Sequence, residues 1–246
     1  MVRAHHAGGR GPRVVAASRV RVSAALVITA ALCGGCGGSS RATVRDAVLR
    51  PTDVPTGYKP TPHRDFEPRL SDAEEAALLA CTKLPPWFVA SGAHDQTRAD
   101  SPDFTYGRFA DGPAQRIASS IRLAPSSEEV REPLAALDGD AAARCFEPVF
   151  RAGFERGLGG RPGVTTSDFT VRPLSLGGIG DQSAAFQGTA TMHTRGGPVQ
   201  QDLNLYFVRA GRALVTMYAA GFDSPTDQRL AEFLLSTIVS RWGGAR

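Results

Sequence analysis

Between residues 183 and 220 apolar and polar side chains alternate through three consecutive stretches separated by short turns. Ala184, Phe186, Gly188, Ala190 and Met192 oppose Gln187, Thr189 and Thr191. Leu203, Leu205 and Phe207 repeat the pattern, and "ALVTMYAA" at 213–220 is the third stretch. A period of two puts successive side chains on opposite faces of an extended chain, so each stretch reads as a strand. "RGGP" at 195–198 and "RAGR" at 209–212 are turn sequences. Strands joined this closely run antiparallel, which predicts a meander.

The elements around the meander set the fold class. Residues 42–49 predict a short helix that Pro51 and Pro55 end, and the proline-rich 59–68 reads as loop. "SDAEEAALLACTKLPP" from residue 71 has Ser71 as N-cap, acids in the first turn, and Ala77, Leu78 and Cys81 on one face. Residues 104–109 and 116–123 read as strands, the second with Ile117, Ser119, Ile121 and Leu123 on one side. A helical region follows with Ser126 and Glu129 as a capping-box pair, and Pro133 and Pro148 are expected to split it in two. Phe146, Phe150 and Phe154 recur every four residues and form a core-facing stripe. Residues 164–172 read as a strand. Ser224, Pro225 and Asp227 start a last helix, whose Leu230, Phe233, Leu234 and Ile238 are expected to face the sheet. The class is α+β, an antiparallel β-sheet covered by helices. With no repeat or long linker, residues 43–246 are expected to form a single domain.

The first 35 residues differ in kind from the rest. Arg3, Arg10, Arg13, Arg19 and Arg21 occur there with no acid. Without those five, the chain's 28 basic residues fall to 23 against 24 acidic ones, a balance of −1 that offers nothing to draw nucleic acid. "VSAALVITAALC" at 22–33 is too short to span a bilayer, which takes about 20 apolar residues. It fits the apolar region of an export signal. Its end resembles the signal peptide of bacterial lipoproteins. Cys36 follows Gly34 and Gly35, with Leu32 four residues before it, although Cys33 stands where leucine is usual. The resemblance implies a signal peptide over 1–35, cleavage before Cys36, diacylglycerol on its sulfur, and a flexible tether over 36–42. The protein would then be held on the extracytoplasmic face of the cell membrane by acyl chains. On this reading the C-x-x-C spacing of Cys33 and Cys36 is neither a redox pair nor half a zinc site.

Two cysteines remain, Cys81 and Cys145. An oxidising compartment and an even remainder favour a disulfide between them. Two free buried thiols are the alternative, and so are metal ligands, although neither cysteine has a Cys or His within five residues.

Several stretches together resemble a group of actinobacterial cell-envelope lipoproteins and the extracellular sensor domain of the PknH type. These are "AVLRPTDVPTGY", the separated Cys81 and Cys145, "LSLGGIGDQSAAF" at 174–186, the hairpin "LNLYFVRAGRALVTMYA" and the C-terminal helix. The resemblance implies a PsbP-like α/β/α sandwich acting as a binding or sensor module. It also implies a second disulfide that this chain lacks the cysteines to form.

Candidate chemistry is sparse. His63, His94 and His193 are the histidines outside the leader, and His94, Asp95, Asp100 and Asp103 lie near one another without regular metal-ligand spacing. No G-x-S-x-G, H-E-x-x-H or P-loop occurs. "GLGGRPG" at 157–163 follows a helix rather than a strand, so it reads as a helix end and loop, not a dinucleotide site. "GGIGD" at 177–181 reads as a strand-entry turn, with Asp181 lining a cleft as the alternative. Trp87 and Phe88 after a diproline read as a plug at the sheet end, with a ligand anchor as the alternative. No cofactor is expected. The leading function is a non-catalytic, membrane-anchored protein that binds a small molecule, a glycolipid or a protein. A hydrolase of wall or lipid esters and a purely structural interaction protein are the alternatives.

Overall fold

Proline and glycine turns divide the chain into short elements, and a computed structural model describes them over residues 40–62, 71–89, 97–108, 114–158 and 164–243, omitting the side chains of 40–43, 152, 153 and 155–158. In chain order the elements are α1 (Ser40–Ala47), β1 (Lys59–Thr61), α2 (Asp72–Thr82), α3 (Pro86–Val89), β2 (Arg98–Asp100), β3 (Asp103–Tyr106), β4 (Ala114–Leu123), α4 (Glu128–Ala135) and α5 (Gly139–Leu158). They continue with β5 (Thr165–Leu174), β6 (Gln182–Thr194), β7 (Gly197–Ala210), β8 (Ala213–Phe222) and α6 (Gln228–Gly243). All of them fall within one unit, Gly37–Arg246.

The eight strands form one antiparallel sheet in the order β1-β3-β4-β8-β7-β6-β5, with β2 pairing β4 off that path. The expected meander is β6-β7-β8, preceded by β5 on the outer side. Alternation sends Tyr206, Val208, Val215, Met217, Ile117 and Ile121 to one face, under α1 and α6. Phe186, Phe207 and Leu214 point to the other, under α2 to α5. Helices therefore cover both faces, as the sandwich resemblance implies. β8 lies between the two cores and is buried along nearly its whole length.

Local rules explain most element ends. Ser71 and Glu74 cap α2 reciprocally: the Glu74 N–H donates to Ser71 Oγ, and the Ser71 N–H donates to Glu74 Oε2 at 2.7 Å. The Glu129 N–H donates to Ser126 Oγ at the start of α4. Asp227 Oδ1 accepts from the Arg229 and Leu230 N–H groups at 2.9 and 3.2 Å, so Asp227 caps α6. The stripe Phe146, Phe150 and Phe154 is buried, each residue at 3% exposure or less.

Six expectations change. The loop reading of 59–68 gives way at its start to β1, which pairs β3. The short strand β2 was not anticipated. α1 begins at Ser40, inside the expected tether. Pro148 lies within α5, and the break between helices falls at 136–138, where Gly139 takes φ +72°. Phe233 is 61% exposed, because the sheet-facing stripe of α6 is Ala231, Leu234, Leu235 and Ile238. In α2 the inward residues are Leu78 and Thr82, while Ala77 and Cys81 face solvent.

Candidate functional site

α6 shields only part of its sheet face. Beyond its N-terminal end, strands β5, β6 and β7 carry four rungs of mostly polar side chains on that face: Arg172–Gln187–Asn204, Thr170–Thr189–Asp202, Ser167–Thr191–Gln200 and Thr165–His193–Pro198. Cross-strand partners stand close enough to bond. The Arg172 Nε and Nη2 donate to Gln187 Oε1 at 2.9 and 2.6 Å, Thr170 and Thr189 share a hydroxyl bond of 2.8 Å, and Gln200 Nε2 donates to Thr191 Oγ1 at 3.0 Å.

The array ends inward at a main-chain wall. The segment 223–227 crosses the sheet face over Gly221, where a Cβ would overlap the Ser224 carbonyl oxygen. The Asp223 N–H donates to Gln200 O at 2.7 Å. Asn204, 2% exposed, donates to Tyr206 Oη at 2.9 Å and Thr226 Oγ1 at 2.5 Å, while its Oδ1 has no donor. Burial raises the pKa of Asp202, opposed by a bond from the Thr226 N–H and by the positive charge of Arg172. Burial also pushes the Tyr206 phenol up to about 12.

At the outer end β5 carries a bulge between Ser167 and Thr170, with Asp168 at φ +52°. Here Ser167 Oγ stands 2.8 Å from His193 Nε2 and donates to Asp168 Oδ2 at 2.9 Å. A hydroxyl has one proton. With that proton on the carboxylate, the imidazole must supply its own Nε2–H to Ser167. His193 is then a donor, not a base, and the acid sits on the hydroxyl instead of on the imidazole. That is the reverse of the order a nucleophilic relay needs.

The other residues marked in the sequence go elsewhere. Cys81 and Cys145 are joined by a disulfide with Cα atoms 5.7 Å apart, tying α2 to α5. Asp100 pairs with Arg98 at 2.9 Å. Asp103 is fully buried, held by Arg116 and by the Tyr218 hydroxyl, which donates at 2.8 Å. Asp181 Oδ2 accepts from the Gly211 N–H at 2.6 Å and braces the β7–β8 turn. Phe88 is 7% exposed and its ring centroid lies 5.5 Å from that of Phe207; with half-buried Trp87 it plugs the helix-covered core. Cys36, His63, His94 and Asp95 lie outside the described residues. Among the described residues no group of three His, Cys, Asp or Glu side chains could hold a metal, and no helix is long and apolar enough to cross a membrane.

The array itself escaped sequence reasoning. Gln187, Thr189 and Thr191 were visible as the polar half of an alternation, but their partners on β5 and β7 appear only once the register is known.

No protein-family model matches the chain, and no curated protein matches it. Among solved structures it is similar to LpqN of Mycobacterium tuberculosis, described as involved in cell envelope biogenesis. The identity is 13%, the match covers 76% of each chain, and the TM-score is 0.31. It is also similar to the extracellular domain of PknH from the same organism, at 9% identity over 76% of this chain and 100% of that one, with a TM-score of 0.31. At that agreement neither likeness bears on function.

Proposed function

We propose that the chain is an extracytoplasmic binding protein, anchored to the outer face of the cell membrane by lipid on Cys36, and that the β5–β7 array is its binding surface. The leader supports the location: five arginines without an acid, an apolar run too short to span, then Gly34-Gly35-Cys36. One observation carries the binding role. Ser, Thr, Gln, Arg, Asp and His side chains share a stretch of sheet that no described helix covers, and that concentration of hydrogen-bonding groups serves no core. The reading is non-catalytic. Intact mass of the membrane-fraction protein should give a chain beginning at acylated Cys36, and a mature protein that retains Cys33 overturns the anchor. Capture of a specific partner by the purified protein, lost in Arg172→Glu, is the expected outcome for the surface. A reproducible blank counts against it.

The contact of Ser167 with His193 favours a second reading, an ester hydrolase. The donor order derived above opposes it, and a fluorophosphonate probe decides it: labelling at Ser167 that disappears in His193→Gln would establish a nucleophile, and no labelling is expected.

A further inference from the structure

Two opposite charges stand on this array without neutralising each other. Among the described residues neither Arg172 nor Asp202 forms an ion pair. The Arg172 guanidinium rests on a neutral amide oxygen, Gln187 Oε1, through Nε and Nη2, and its Nη1 has no partner among the described residues. The Asp202 carboxylate accepts from the Thr226 N–H and still feels the Arg172 charge. The two residues sit on second-neighbour strands one rung apart, which separates their Cα atoms by roughly 12 Å from strand spacing and rise. The Arg172 guanidinium lies on Gln187, on the strand between its own and that of Asp202. Thr170 and Thr189 lie between, and Asn204 Oδ1, an acceptor with no donor, is on the same strand and face two residues from Asp202. A carboxylate matches the free edge of a guanidinium, and an ammonium group matches a carboxylate beside an unmet amide oxygen.

We propose that Arg172, Gln187 and Asp202 form a site for free amino acid zwitterions, with the ligand carboxylate on the Arg172 guanidinium and its ammonium on Asp202. The inference rests on the array being the binding surface. A single-charge ligand leaves one protein charge without its counterpart, so an amine or an acid of the same skeleton binds less well. A bulky ligand side chain points away from the sheet, and selectivity lies in the two charges rather than in ligand size.

Isothermal titration of the full chain, purified from membranes in detergent, tests this with alanine and β-alanine against propionate and propylamine. Alanine or β-alanine should bind about tenfold or more tightly than either single-charge control. Arg172→Gln and Asp202→Asn should each lose about tenfold or more, Arg172→Lys, which keeps the charge without the two-pronged edge, should fall between Arg172→Gln and the parent, and Glu147→Gln, on α5 over the opposite face of the sheet, should bind as the parent does. Unchanged thermal unfolding of the variants ties any loss to the site. Absence of binding up to roughly 10 mM ligand, equal binding of propionate, or parent-like affinity in both charge variants overturns the proposal. If no amino acid binds and Arg172→Glu still abolishes partner capture, this site assignment falls while the binding surface stands. If partner capture also survives, both fall.

Discussion

Gly188 of β6 lies beneath the ring of Phe150 of α5. A Cβ at that position would overlap Phe150 Cδ1 and come within 2.9 Å of Cε1. The ring is 1% exposed and belongs to the aromatic core with Phe146, Phe186 and Phe207. Nothing around it yields without moving the helix or the sheet. Gly188→Ala should therefore destabilise the fold by about 1–3 kcal/mol, as overpacking does, read as a lower denaturant midpoint at constant slope.

The disulfide has a separable effect. Cys81 and Cys145 close a loop with a sequence separation of 64. In the chain-entropy account that constraint is worth about 4 kcal/mol. Cys81→Ser with Cys145→Ser, or reduction of the parent, should lower stability by up to that amount in chemical denaturation, and adding reductant to the double variant should change nothing further.

The cap of α6 predicts a smaller cost. Asp227→Ala leaves the Arg229 and Leu230 N–H groups without their acceptor and should cost about 1 kcal/mol, while Asp227→Asn or Asp227→Ser should restore most of it. Thermal unfolding of the three variants checks the order.

Two of the four tyrosines should titrate late. Burial raises both the Tyr206 and the Tyr58 phenols from 10.0 to about 12, helped at Tyr58 by the negative charge of Asp227. Between pH 10 and 12 the folded chain binds more protons than the unfolded one, so its stability falls as pH rises. The stabilisation is complete below pH 10 and lost by about pH 12. Absorbance of phenolate against pH, on the parent and on Tyr58→Phe and Tyr206→Phe, should show the late component shrinking in each variant.

Where pattern and burial obey a local period, the sequence was enough. The alternation of Phe186, Ala190 and Met192 placed β6, and the spacing of Phe146, Phe150 and Phe154 placed the inner face of α5. Where pairing decides, it was not. β1 and β2 have three residues each. That is too short for a period to register, and Pro60 argued for loop. Phe233 joined the wrong stripe because a helix allows apolar residues at both three and four spacings, and only the covering sheet selects between them. The polar array was hidden for the same reason: Arg172, Gln187 and Asn204 are far apart in the chain and meet only through register.

Gly221 has the longest reach of these details. Because it carries no side chain, the 223–227 backbone lies against it, between the array and the corner where the Tyr58 hydroxyl donates to Gln115 Oε1 and Gln115 Nε2 donates to Ser224 Oγ, so that partition is built of peptide backbone, not of interchangeable groups. Point substitution can redraw the floor of the array but not that boundary. Substitution can therefore change the chemistry of that floor over evolutionary time while the frame stays the same, because the side chains of the floor and the backbone of the frame are chemically different.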